Sequence, residues 1–196
     1  MNAVDRVIGS ISKLMARIGG GLLLAAALLV AVEVLVRYGR MASLGLATEL
    51  SSYALAVGAT WALAYVVFER AHVRVDFITQ RLPPIPKAVF DVFAVASLAA
   101  IGLVLSAGGM EMVHTSLSLS ARANTTLGTP LAIPQGAWTA GLVWFTAVAI
   151  YRSVLAVRCL LQNDLGAVTA IAGAPSITEE VEEAIRESQE ILTDKA

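Results

Sequence analysis

Apolar residues run through this chain in four long blocks separated by short polar breaks. The first extends from Ile18 to about Val36, the second from Leu50 to Phe68, the third from about Val89 or Val92 to Met110, and the fourth from Ile133 to about Tyr151. The second block is nineteen residues without a charge, bounded by Glu49 and by Glu69-Arg70. At ~1.5 Å rise per residue it makes a helix of ~28 Å, close to the hydrocarbon thickness of a bilayer. A water-facing helix of that length needs a polar face, and this block has almost none. The pattern predicts an all-α integral membrane four-helix bundle over residues 18–158, with spans at about 18–36, 50–68, 89–110 and 133–151. Pro134 fits the first turn of the fourth helix, where a missing N–H costs nothing.

Two segments flank the bundle. In residues 1–17, Val4, Val7, Ile8, Ile11, Leu14 and Met15 recur at helical spacing with Arg6, Lys13 and Arg17 between them. This predicts an amphipathic N-terminal helix on the membrane surface that turns into the first span; one long continuous helix is the alternative. The basic start and Ala25-Ala26-Ala27 resemble a secretory signal, but three further spans and the apolar run to Val36 predict a retained anchor. Residues 159–196 read as a linker, small-residue over Ala167–Ala174, and an acidic C-terminal helix or tail. Ser176 and Glu179 form a capping box for a helix Ile177–Leu192, whose apolar positions Ile177, Val181, Ile185 and Leu192 make a thin stripe.

Composition supports a membrane protein and narrows its chemistry. The chain is 57% hydrophobic and only 15% charged, against ~25% charged for soluble domains, and its mean hydropathy is +0.74. The net charge of -1 divides into -5 over residues 176–196 and +4 elsewhere. That excess is too diffuse for nucleic acid and suits anionic membrane lipids. The single Cys159 rules out an internal disulfide and a zinc site built on thiolates. Lys and Arg near the span ends divide nine against three: Arg6, Lys13, Arg17, Arg70, Arg74, Arg81, Lys87, Arg152 and Arg158 against Arg37, Arg40 and Arg122. The bias predicts cytoplasmic N and C termini, and connections Tyr38–Thr48 and Glu111–Ala132 on the far side. Tyr38, Tyr53 and Trp138 then lie near the outer interface and Tyr151 near the inner one.

Candidate chemistry is sparse. There is no GxxxxGK phosphate loop. His72 and His114 fall on opposite sides of the membrane, so they cannot ligate one haem. Neither an enzyme nor a cofactor or metal site is expected. The residues that stand out are charges at the span edges. Glu33 and Arg37 are four apart and can pair on one helix, and a carboxylate one turn inside the apolar boundary calls for a partner. Glu49 heads the second span, where a negative charge complements the helix dipole. His72, Arg74 and Asp76 cluster just after that span, poised to clamp the loop before Pro83-Pro84 or to touch another subunit. Small residues recur at four-residue spacing at Ala54, Gly58 and Ala62, at Ala96 and Ala100, and at Ala137 and Gly141, permitting close helix contact. No mid-span charge marks an ion path.

These residues carry a family resemblance. Glu33 with Arg37-Tyr38, Glu49, Gly58, His72-Val73-Arg74-Val75-Asp76, Leu82-Pro83, Thr125-Thr126 and Pro130-Leu131-Ala132-Ile133-Pro134 occur in the order seen in the small membrane subunit of tripartite ATP-independent periplasmic (TRAP) transporters. The resemblance spans roughly Leu14 to Arg158. It departs where Gly45-Leu46-Ala47-Thr48 precedes Glu49 without the Trp many members have, and the acidic tail lies outside it. It implies a scaffold subunit in the bacterial inner membrane that does not bind the solute. Its partners would be a large multi-span permease subunit, which couples uptake of an organic acid or similar solute to an ion gradient, and a periplasmic solute-binding protein that docks on the outer connections. Glu33, Arg37, Glu49, His72, Arg74 and Asp76 would then serve packing, lipid headgroups or subunit contacts. A stand-alone four-helix carrier or exporter and a membrane anchor for an enzyme complex remain as alternatives.

Overall fold

The four apolar blocks fold as four helices, each long and apolar enough to cross a membrane. The computed structural model describes residues 3–39, 46–70, 82–125, 127–173 and 185. Among these, α1 is Ala3–Tyr38, α2 is Ala47–Phe68, α3 is Pro84–Ser118, α4 is Ala132–Leu161 and α5 is Leu165–Ala172. α1 packs on α2, α2 on α4 and α4 on α3, while α5 wedges against α3 and α4. α1 and α3 thus take the two margins of the assembly.

Two of these helices start earlier than the apolar pattern suggests. α3 begins at Pro84 with Pro86 in its first turn; the first N–H groups of a helix have no intrahelical acceptor, so neither proline removes a bond. The turn expected near Ile18 is absent, and α1 runs unbroken through Gly19-Gly20-Gly21. Its first third is held to its neighbours: Ile8 joins the core around Phe68, Trp144 Nε1 donates to Ser12 Oγ at 3.1 Å, and Tyr151 OH donates to Asp5 Oδ1 at 3.0 Å. The segment read as a separate surface helix is therefore the packed beginning of the first long helix. The small-residue linker expected over Ala167–Ala174 also differs. It is mostly α5, started by Asp164, whose Oδ1 accepts from Ala167 N at 3.0 Å, and sealed by the burial of Val168 and Ala172.

Small residues set the packing. A Cβ on Gly19 would stand 2.6 Å from the Gly58 carbonyl oxygen, and one on Gly58 would stand 2.8 Å from that of Gly19. The α1 and α2 backbones are thus in direct contact, as lipid-embedded helices allow where glycines meet. Gly141 of α4 fits against Thr60 and Trp61 of α2, and Trp61 Nε1 donates to the Ala137 carbonyl at 2.9 Å. On α3 the buried positions Ala88, Val95, Gly102, Gly109 and Ser116 recur every seventh residue, the spacing of a seam between helices that cross at a small angle. Gly102 meets Thr146, Gly109 meets Thr139, and the Ser106 and Thr146 hydroxyls bond at 2.9 Å. The face expected from Ala96 and Ala100 is displaced: Ala100 is exposed and Ala99 is buried.

Candidate functional site: polar belts at the two ends of the bundle

α1 and α2 pack antiparallel, so the end of α1 and the start of α2 gather their edge charges at one end of the bundle. Glu33 is buried on α1 and pairs with Arg37 at 3.7 Å, while the Arg37 side chain is 72% exposed. Glu49 is buried in the first turn of α2 and its Oε1 accepts from Tyr53 OH at 2.8 Å. The side chains of Thr125 and Thr129 reach the same carboxylate from the α3–α4 connection.

That connection is ordered by its own bonds. Ala123 N donates to Thr129 O at 2.9 Å, Leu131 N to Ala121 O at 3.0 Å, and Arg122 Nη1 to Gly128 O at 3.2 Å. Gly128, at φ 56°, supplies the left-handed residue the tight turn needs. Glu49 thereby joins α2 to a hairpin-like loop some seventy-five residues later in the chain, a link its role as a helix-start charge does not suggest.

The other end is built around Arg152 of α4. Its guanidinium lies 4.5 Å from the centre of the Phe68 ring and donates to the Phe68 carbonyl at the end of α2. Arg70 Nη1 in turn donates to the Thr169 carbonyl of α5 at 3.3 Å. Two guanidiniums thus cap the carbonyl ends of two helices, where the backbone lacks internal donors and the dipole favours a cation. Asp5, bonded to Tyr151, supplies compensating charge beside Arg152. Arg152 entered the sequence reading only in the count of Lys and Arg, and Asp5 did not stand out there. Asp91 did not stand out either, yet it is buried on α3 one turn before Val95; the signal was a carboxylate inside an otherwise apolar run.

Among the sequence-predicted residues, the structure brings Glu33 to Arg37 and Glu49 to Tyr53 and the α3–α4 loop. It keeps these two clusters on separate helices. His72, Arg74 and Asp76 lie outside the described residues, as do Thr126 and the tail from 174 onward apart from Ile185.

Two apolar grooves open on the bundle surface. One, of about 430 Å³, lies between α1, α2 and α4, with Tyr53 and Thr129 at its polar end. The other, of about 530 Å³, lies between α3 and α4, with His114 among its walls. No group of three or more His, Cys, Asp or Glu side chains is placed to hold a metal ion among the described residues. The arrangement is suited to holding helices and a loop together.

No curated protein and no solved structure matches the chain significantly. One family does, described as "Tripartite ATP-independent periplasmic transporters, DctQ component", over residues 26–159. The matched stretch covers all of α2 and α3, nearly all of α4 and the last part of α1 with Glu33 and Arg37. The chain, a multi-pass membrane protein by its four long apolar helices, belongs to the DctQ-component family of TRAP transporters, the small membrane subunits of these systems.

Proposed function

We propose that this subunit is a fixed scaffold in the bacterial inner membrane, with both termini cytoplasmic. It packs beside a large multi-span permease subunit that carries out ion-gradient-driven uptake of an organic acid or similar solute. A periplasmic solute-binding protein docks over the end bearing Glu49 and the α3–α4 loop. The Arg152 end then faces the cytoplasm, in line with the nine-to-three bias of Lys and Arg.

The observation that carries this reading is the placement of the buried carboxylates. Among the described residues they are Glu33, Glu49 and Asp91, all toward helix ends, while the middle of the bundle is joined by Gly, Ser and Thr. A subunit that moved ions or acids itself would need a charged group on a path at mid-depth. Glu33, Arg37 and Glu49 are the candidates for subunit or headgroup contact at the outer end, and His72, Arg74 and Asp76 at the inner end.

The test is reconstitution in liposomes with the chain alone, the large subunit alone, and both, each with the solute-loaded binding protein. Uptake is expected only when both membrane subunits are present. Solute movement by this chain alone would refute the scaffold role. Glu49→Ala should loosen the α3–α4 loop, seen as faster amide exchange at Ala123 and Leu131, and lower uptake without preventing assembly.

A further inference from the structure

The first third of α1 presents two exposed stripes that the rest of the fold leaves uncovered. Val4, Val7, Ile11, Leu14 and Ile18 are each 38–58% exposed and recur at alternating three- and four-residue steps, which places them on one face. Arg6, Lys13 and Arg17 are exposed along the neighbouring face. The third face, with Asp5, Ile8 and Ser12, is used against α2 and α4. Because those contacts keep α1 in line with the bundle, the apolar and basic stripes project sideways from its Arg152 end.

The chain itself contains a complement. Residues 176–196 carry seven acidic and two basic side chains, with apolar residues at Ile177, Val181, Ile185 and Leu192. Ile185 is helical. A helix Ile177–Leu192 is ~24 Å long and the stripe from Val4 to Ile18 is ~21 Å, at ~1.5 Å per residue. The starting point lies at the same end of the bundle. α5 ends at Ala172, and its Thr169 carbonyl is held by Arg70, two residues beyond Phe68, whose ring is so close to Gly9 that a Cβ there would stand 2.8 Å away. α5 therefore ends near the level of the middle of the stripe, on the side of α1 that carries Gly9. Both segments lie outside the family match over residues 26–159, so the pairing would be a property of this chain and not of the shared core.

We propose that the acidic segment 176–196 docks as a helix on this face of α1. Its apolar positions cover Val4 to Ile18 and its carboxylates meet Arg6, Lys13 and Arg17. Opposite charge, matched length and a common end of the bundle favour this occupant over the headgroups of an anionic bilayer. Docking would withdraw the basic stripe from the lipid surface.

The test is disulfide trapping in the full chain with Cys159→Ser, Leu14→Cys and Ile185→Cys, reconstituted in phosphatidylcholine vesicles. An intramolecular disulfide is expected. Its rate should fall about tenfold on adding Glu180→Lys, Glu183→Lys and Glu187→Lys, the scale of three exposed ion pairs. A control pair joining Ile185→Cys to Leu28→Cys, on the far part of α1, should not close. A Leu14–Ile185 rate equal to that control, or one indifferent to the charge reversal, overturns the proposal. A disulfide between two chains overturns it in favour of a second copy. Loss of the intramolecular disulfide when phosphatidylglycerol is added to the vesicles overturns it in favour of the lipid surface.

Discussion

The contact of Gly19 with Gly58 makes the sharpest claim about stability. A methyl group on Gly19 would sit 2.6 Å from a backbone carbonyl oxygen that cannot rotate away, where ordinary contacts begin at 3.4 Å. Gly19→Ala therefore requires α1 and α2 to separate by about 0.8 Å at their crossing. Overpacking of this kind costs ~1–3 kcal/mol, against which alanine returns ~1 kcal/mol of helix propensity. The expected net loss is ~0–2 kcal/mol, and Gly58→Ala, with 2.8 Å to the Gly19 carbonyl oxygen, should cost a similar amount. Separating the helices for one methyl makes room for the other. The double variant should thus lose less than the two singles added, with a coupling of ~1 kcal/mol. Gly20→Ala and Gly21→Ala have nothing within 4 Å of the new methyl and should be neutral or stabilising by up to ~1 kcal/mol. Equilibrium unfolding in mixed micelles, followed by the fluorescence of Trp61, Trp138 and Trp144, gives all five values. If Gly19→Ala behaved like Gly20→Ala, or the double variant were additive, the close crossing would be refuted.

Two further outcomes are expected. Arg152→Ala should cost roughly 2 kcal/mol through the loss of a charge-assisted bond to the end of α2, and Arg152→Lys should recover only part of it because an ammonium lacks the planar group that stacks on Phe68; thermal unfolding in detergent checks both. α4 ends with Asn163 at φ 57°, with Asp164 N bonded to Cys159 O and Asn163 N to Leu160 O, the bond pair of a helix end that favours glycine. Asn163→Gly should therefore be neutral to stabilising by up to ~1 kcal/mol in the same unfolding measurement, and a clear loss would show that the Asn side chain contributes there.

The four spans were legible because lipid imposes a length and a polarity on any helix that crosses it. The Glu33–Arg37 pair was legible because both partners lie on one helix, four residues apart. Other features were set by neighbours distant in sequence. Whether α1 broke near Ile18 depended on Ser12 and Asp5 finding Trp144 and Tyr151, and nothing in the first forty residues states that. Glu49 could be read as a helix-start charge but not as the anchor of a loop at Thr125 and Thr129. Ala96 and Ala100 were as plausible a packing face as Ala99 and Gly102, since small residues abound on every side of α3; contact with Thr146 decides between them. Asp164 before Leu165 was a readable start signal for α5, hidden by the low complexity of the residues that follow.

The registers of the two marginal helices bear on how the protein sits in its bilayer. Gly19 lies at Gly58 and Gly9 at Phe68, so the charge-free run of α1 between Arg17 and Glu33 is displaced toward the Glu49 end relative to that of α2. On the opposite margin Gly109 lies at Thr139 and Gly102 at Thr146, which displaces the charge-free run of α3 between Asp91 and Glu111 toward the Arg152 end. Each offset is five to seven residues, ~8–10 Å of helix. A hydrocarbon layer of uniform thickness can hold both runs only when the helix axes lean, by an amount within the 0–40° seen for membrane helices. The unusual lengths of α1 and α3, 36 and 35 residues, suit an oblique crossing. A neighbour packed lengthwise along this bundle would have to adopt the same lean, so the subunit would fix its partner's slant as well as its position.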